Sequence, residues 1–311
     1  MDILLSIVIA NYNYGRFLED AICSVLDQAD DRTELIICDA ASTDNSVDII
    51  KKYAGGLPPN TSRSEWEKDN NQRLTTNDQR LITWWCSEKD GGQSAAFNKG
   101  FSHACGKYFT WLNADDLMVP GSLPKVLSSL VSHPKYEWFT GNGFRFLEDG
   151  TVMEANWGPH WYPGFLQRKS SPIVVFGPTS FFTREIYERV GKIDERLHYA
   201  MDNDLWLKFM TTGIKQCRIN CMIWAFRMHT ASKTAEFGEH RLDDESHKKL
   251  VEEGRAIAQK LDYKMSKFMH LVVRIWRFFD GSMAYRAYLR MTFRKFHFRY
   301  LNENECNCRV S

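Results

Sequence analysis

The chain has no hydrophobic run long enough to cross a bilayer. Its most apolar N-terminal segment, residues 4–10, is far short of the roughly 20 residues such a helix needs. No charged leader region or cleavage site precedes it, so the chain is expected to begin directly with a core strand. Paired cysteine spacing is missing too. Eight cysteines stand at positions 23, 38, 86, 105, 217, 221, 306 and 308, and neither Cys217/Cys221 nor Cys306/Cys308 has the spacing of a zinc site. With no secretory disulfide framework, reduced thiols in a cytoplasmic enzyme are the expectation. An excess of one charge is also absent: the net is +1, and no global field points to nucleic acid. Glycine-rich loops are lacking as well. Residues 11–16 contain Gly15 alone, which argues against the Gly-x-Gly-x-x-Gly turn of a nicotinamide dehydrogenase and the basic phosphate loop of a nucleotidyltransferase.

What is present supports a full core. The chain has 311 residues, 43% of them hydrophobic, enough for one large domain or two small ones. Short β-branched runs at 4–10, 34–39, 81–86 and 108–112 read as strands buried on both faces. Helical spacing follows at 16–28, from Ser46 to about Tyr53, and at 94–103. Strand and helix alternate, so the expected class is α/β with a mostly parallel sheet. Residues 58–80 break the rhythm as a polar surface excursion. Further helices are expected at 117–130, 184–190 and 204–211, and the chain from about 239 reads as helical.

Ligands of open α/β sheets bind outside the carboxyl ends of the strands. Four polar clusters fall there: Asn11-Tyr12-Asn13, Asp39 with Ser42-Thr43-Asp44, Glu88-Lys89-Asp90-Gly91-Gly92, and Asn113-Ala114-Asp115-Asp116. Each alone could be a turn; four at one edge are better explained by one site. Adjacent carboxylates need a cation, a hydrogen-bond network or a raised pKa. A divalent metal carrying a diphosphate supplies the cation, and hard oxygen ligands suit Mg²⁺ or Mn²⁺. The alternative is that Asp115 or Asp116 caps the helix over 117–130, with Pro120 in its first turn.

In order along the chain, Ser6-Ile7-Val8-Ile9-Ala10-Asn11-Tyr12-Asn13, Asp39-Ala40-Ala41-Ser42-Thr43-Asp44, the stretch from Asp90-Gly91-Gly92-Gln93 to Asn98-Lys99-Gly100, and Trp111-Leu112-Asn113-Ala114-Asp115-Asp116 resemble the motifs of family 2 glycosyltransferases with the GT-A fold. The likeness continues through Asp202-Asn203-Asp204-Leu205-Trp206 and Arg227-Met228-His229, covering roughly residues 4 to 235. It implies a Rossmann-like GT-A domain over 1–238, with a nucleotide-binding half (1–118) and an acceptor half (119–238), followed by a helical extension over 239–311. It implies a nucleoside-diphosphate-sugar donor bound by Ala10, Tyr12, Asp39, Asp90, Asn98, Asp115 and Lys233. Asp39 would accept from a uracil N3–H. Mn²⁺ or Mg²⁺ would sit on Asp116, Asp115 and His229, with Asp202 as general base. The reaction would be an inverting single displacement onto a hydroxyl of a glycan or polyprenyl-linked acceptor.

Two departures from the family pattern stand out. Asp39-Ala40-Ala41 replaces the usual Asp-Gly-Ser, so the backbone must avoid positive φ or tolerate strain. Met201 replaces a Glu before the base, which leaves open a catalytically inactive nucleotide-sugar or glycan-binding assembly subunit.

Beyond that likeness, Lys264, Lys267, Arg274, Arg277, Arg286, Arg290, Arg294, Lys295 and Arg299 face a single acid, Asp280. Phe268, Leu271, Val272, Ile275, Phe278 and Phe279 share one helical face. The pattern suits either docking on the core or peripheral binding to anionic lipid through 264–300, on the cytoplasmic side of a membrane.

Overall fold

The alternation of side chains along the first strand decides the layers. In this computed structural model the described residues are 2–70, 82–156, 177–230 and 244–260, with positions 268, 271, 272 and 275. Strand β1 (Leu5–Asn11) sends Ile7 and Ile9 to one side of the sheet and Val8 to the other, all without exposure. Helices α1 (Gly15–Leu26) and α2 (Ser46–Ala54) cover the first side, joined later by α5 (Ser122–Ser132). Helix α4 (Gln93–His103) covers the second. Gly100 lets α4 lie close: a Cβ there would stand 2.3 Å from Val8 Cγ1.

Strand β1 pairs in parallel with β2 (Thr33–Asp39) and β4 (Tyr108–Asn113), and β2 with β3 (Trp84–Ser87). This half is therefore parallel throughout, as the alternation predicts. Beyond β4 the sheet turns mixed. The described strand order is β3-β2-β1-β4-β8-β6-β9-β5, with β7 on β6. Here β5 is Leu117–Met118, β6 Trp138–Leu147, β7 Val152–Asn156, β8 Ser180–Thr183 and β9 Gln216–Met228. The long β9 returns in parallel to β6 and antiparallel to β5, which carries its end back to the turn after β4.

Several boundaries differ from the sequence expectation. The helix expected over 117–130 starts only at Ser122, after β5 has paired with β9. Asp115 and Asp116 therefore close a turn between two strands and cap no helix. The polar excursion contains a short helix, α3 (Arg63–Asn70). Helix α6 (Arg184–Arg189) starts at Thr183, whose hydroxyl accepts from Ile186 N. Helix α7 (Met201–Thr211) begins before Asp202 rather than near Asp204. Trp206 of α7 stacks between Trp111 (5.4 Å) and Trp138 (5.9 Å), pinning the helix to the sheet. Helix α8 (Asp244–Lys260) lays Ile257 against Ala200 and Leu207. Lys233 and most of 264–300 lie outside the described residues.

Candidate active site

The loops after β1 and β2 are stitched together side chain by side chain. Asn13, at φ 55°, donates its backbone N–H to Ser42 Oγ (2.8 Å), and its side-chain oxygen accepts from Thr43 N (2.8 Å). Asp44 accepts from Gly15 N at 2.8 Å. Ala41 stands at φ 57°, so the chain tolerates the left-handed conformation without glycine. Tyr12 projects outward, 59% exposed, as an aromatic face free to stack on a planar ligand. Ala10, in register between Cys38 and Asn113, packs partly buried on the second core.

Asp39 is nearly inaccessible and fully occupied by the chain itself. Its Oδ1 accepts from Asn11 Nδ2 (2.6 Å) and Ser42 Oγ (2.5 Å), and its Oδ2 from Ser42 N (3.0 Å) and Ser87 Oγ (2.6 Å). Asp90 accepts from Gly92 N at 2.8 Å. Burial raises the Asp90 carboxyl above the ordinary range, and the nearby Asp39 charge adds to it. Asn98, expected to contact the nucleotide, is bonded to three residues of the chain. Its amide donates to Ile193 O and Glu195, and its oxygen accepts from Tyr187 OH. These bonds tie α4 to Tyr187 on α6 and to the segment between α6 and α7.

The turn after β4 separates the two carboxylates. Asp115 is partly exposed, and its Oδ2 lies 3.1 Å from His229 Nε2 at the end of β9. The His229 ring packs on Phe17 (4.4 Å) and edge-on against Tyr14 (5.8 Å). Asp116 has no exposure. Its oxygens accept from Asn113 Nδ2 (2.8 Å) and Arg227 N (3.1 Å). Desolvation, with the Asp115 charge second, raises the Asp116 carboxyl well above its ordinary value. Asp116, expected as the chief metal ligand, lies beneath the turn, and Asp115, expected beside it, meets His229, whose side chain is itself almost wholly buried. The Tyr14 phenol is pushed up to about 12, chiefly by burial, with Asp115 and Asp116 adding.

Whether that pair suits a cation is a matter of geometry. Two donors about 2.1 Å from one octahedral cation, at right angles, stand about 3.0 Å apart. The Asp115–His229 separation of 3.1 Å matches such an edge. Among the described residues no group of three His, Cys, Asp or Glu could hold a metal, so further ligands would have to be phosphate oxygens and water.

Met201, the neighbour of Asp202, is tied toward this rim by a chain of contacts. Met201 Sδ accepts from Ser94 Oγ (3.1 Å); next to Ser94, Gln93 Nε2 donates to Asn113 Oδ1 (2.9 Å), and Asn113 holds Asp116. Protein encloses the Asp202 carboxyl on most sides. Desolvation raises it to about 6, against the opposing bonds from the Asn203 and Asp202 N–H groups. Asp204, two residues on, is buried and contacts Lys208 Nζ at 2.6 Å.

Sequence reasoning missed Asn11, Ser42 and Ser87 as partners of Asp39, and Gln93 and Asn113 as the brace of the Asp115–Asp116 turn. Only their position inside the motifs hinted at this. Nothing local distinguishes a bracing amide from an exposed one.

The glycosyl transferase family 2 model matches residues 6–191, more than half of the chain. The putative glycosyltransferase EpsE of Bacillus subtilis is 27% identical over 215 residues, covering 68% of this chain and 68% of its own. Chondroitin synthase of Pasteurella multocida is 26% identical over 68% of this chain, but only 19% of that longer protein is covered. Among solved structures, S. aureus TarS 1–349 in complex with UDP-GlcNAc aligns with a TM-score of 0.57 at 14% identity, over 85% of this chain and 68% of its own. The mannosyltransferase PcManGT of Pyrobaculum calidifontis, with GDP-Man and Mn²⁺, aligns at 0.51 and 14% identity, over 94% and 88%. At that identity the likeness is one of fold.

Proposed function

We propose that this chain, which belongs to glycosyl transferase family 2, moves a sugar with inversion from a UDP-sugar to a hydroxyl of a glycan or lipid-linked glycan during cell-surface polysaccharide synthesis. That it is a glycosyltransferase follows from the family and its relatives. The observation that carries the finer reading is the meeting of Asp115 with His229, 114 residues apart, at the strand edge where Asp39 and Tyr12 also stand. A divalent cation held there supplies counter-charge to the leaving diphosphate. Tyr12 stacks on the base. The N3–H of the base takes the place of the Ser87 hydroxyl at Asp39 Oδ2, the hydroxyl turning away about its Cα–Cβ bond. Asp116 holds the Asp115 turn in position from below. Asp202 accepts the proton of the attacking hydroxyl, and its raised pKa brings it close to neutral operating pH. Asp204, spent on Lys208, stays out of the chemistry.

A release assay across UDP-, dTDP-, GDP- and ADP-sugars with Mn²⁺ or Mg²⁺ tests this reading. UDP release that stops in excess chelator is expected. Undiminished release in chelator overturns the metal role, and a clear GDP preference overturns the base contact.

We also assign peripheral membrane binding to residues 264–300. Phe268, Leu271 and Ile275, three and four positions apart, are all exposed, and the neighbouring Lys and Arg suit anionic lipid. No helix among the described residues is long and apolar enough to span a membrane. Salt-sensitive sedimentation with anionic vesicles is the expected result; none in low salt removes the assignment.

A further inference from the structure

We infer that Glu253, on α8 and some fifty residues past the proposed base, is a positioning residue for Asp202. The inference rests on the reading of Asp202 as general base. Three successive backbone N–H groups converge on the Glu253 carboxylate. His198 N donates to Oε1 at 2.9 Å, and Tyr199 N and Ala200 N donate to Oε2 at 2.8 and 3.0 Å. These residues form the entry to α7, whose N-cap is Ala200 and makes no side-chain capping bond. Alanine offers no acceptor, so a carboxylate from another helix supplies the anion that a helix N-terminus favours.

Asp202 stands in the first turn after that cap. Its own Oδ1 accepts from Asn203 N at 2.7 Å, which ties the carboxylate to the local backbone, so whatever sets the backbone sets the carboxylate. Residue 201, where the family resemblance expects a Glu, is Met201. Its sulfur meets the Ser94 hydroxyl and brings no charge. Glu253 thus supplies from α8 the capping acceptor that Ala200 cannot offer. It is itself held in place. Leu250 and Ile257, three residues before and four after, pack with Leu197, Ala200 and Leu207 around the same helix entry. Residues past 239 are on this account part of the catalytic unit.

The test is a double-mutant cycle on the full chain, with Glu253→Gln and Asp202→Asn alone and together. It reads UDP release from the UDP-sugar selected by the donor screen, with UDP affinity and stoichiometry from calorimetry. Glu253→Gln is expected to lower kcat about tenfold, with donor KM and full UDP stoichiometry unchanged. In the Asp202→Asn background it is expected to cause no further loss, because both changes act through one group. An unchanged kcat, or the same tenfold loss in both backgrounds, overturns the inference and leaves Glu253 a structural tie. Should Glu253→Gln bind less than stoichiometric UDP, Glu253→Asp, one methylene short, carries the same cycle. Full kcat in Asp202→Asn alone removes the base reading and this inference with it. A strong Asp202→Asn loss with additive Glu253 effects removes only the latter.

Discussion

His229 Nε2 lies 3.1 Å from Asp115 Oδ2, while the neighbouring Asp116 turns inward without exposure and is bonded by Asn113 and Arg227. Two adjacent carboxylates thus have different surroundings, one beside His229 and one buried beneath the turn. Asp115→Ala is expected to lower kcat/KM by more than about 10³, a loss of several kcal/mol in transition-state stabilisation. It should also abolish the Mn²⁺ dependence of UDP affinity in calorimetry. Asp116→Asn exchanges one acceptor for a donor where two donors converge. It should cost about 1–3 kcal/mol of stability in thermal melts and keep the Mn²⁺ response. The reverse pattern would return the metal to Asp116.

Asp202 and Asp204 form a second divided pair. Asp202→Asn should lower kcat by about 10² to 10⁴ with UDP affinity nearly intact. Asp204→Asn leaves Lys208, itself largely buried, without its ion pair, and should cost about 3 kcal/mol of stability. Denaturant unfolding and steady-state rates separate the two. A catalytic loss confined to Asp204→Asn would reverse the assignment.

The Asp202 carboxyl, raised to about 6 by burial, gives a pH dependence with a definite sign. The base works only when ionised, so kcat/KM should climb tenfold per pH unit below about 6 and level off above it. Stability runs the opposite way. A carboxyl whose folded pKa exceeds its unfolded one favours folding while protonated, and that contribution is lost as pH rises from about 4 to about 6. Asp202→Asn should therefore exceed the wild type by about 1–2 kcal/mol at pH 7.5, after discounting for partial exposure, and match it near pH 3.5. A rate profile flat through pH 6 would remove the base.

Ala41 holds φ at 57°, a conformation that costs an L-residue roughly 1–2 kcal/mol. Ala41→Gly removes that strain but adds unfolded-state freedom, so a net gain of about 0.5–1 kcal/mol is expected. For a chain this size the melting temperature should rise by about 1–3 °C. A lower melting temperature would mean that the Ala41 methyl contributes packing.

The strand–helix alternation of the first half, and the strand edge where its polar clusters gather, were legible from the residues alone. Runs such as Ile7-Val8-Ile9 and Leu35-Ile36-Ile37 bury both faces, a local property of the strand, and polar clusters at their ends follow from the chain direction. Asp39, Asp115, Asp202 and His229 stand out as candidates because motif order along the chain is itself one-dimensional. What each does depends on distance, and distance between remote segments is not written in any one of them. Asp115 and Asp116 are identical in chemistry and adjacent in sequence. Only the pairing of β5 with β9 brings one beside His229 and the other to the Arg227 N–H. Asn98 bonds to Ile193 and Glu195 only because the segment before α7 folds over it. Glu253 is one acid among several in a polar helix, and its role exists only because α8 lies across the start of α7. Sequence alone determined the fold class and the residues that could do the chemistry. The tertiary structure decided which of them meet, because hydrogen bonds and desolvation act over a few ångströms in space and are blind to separation along the chain.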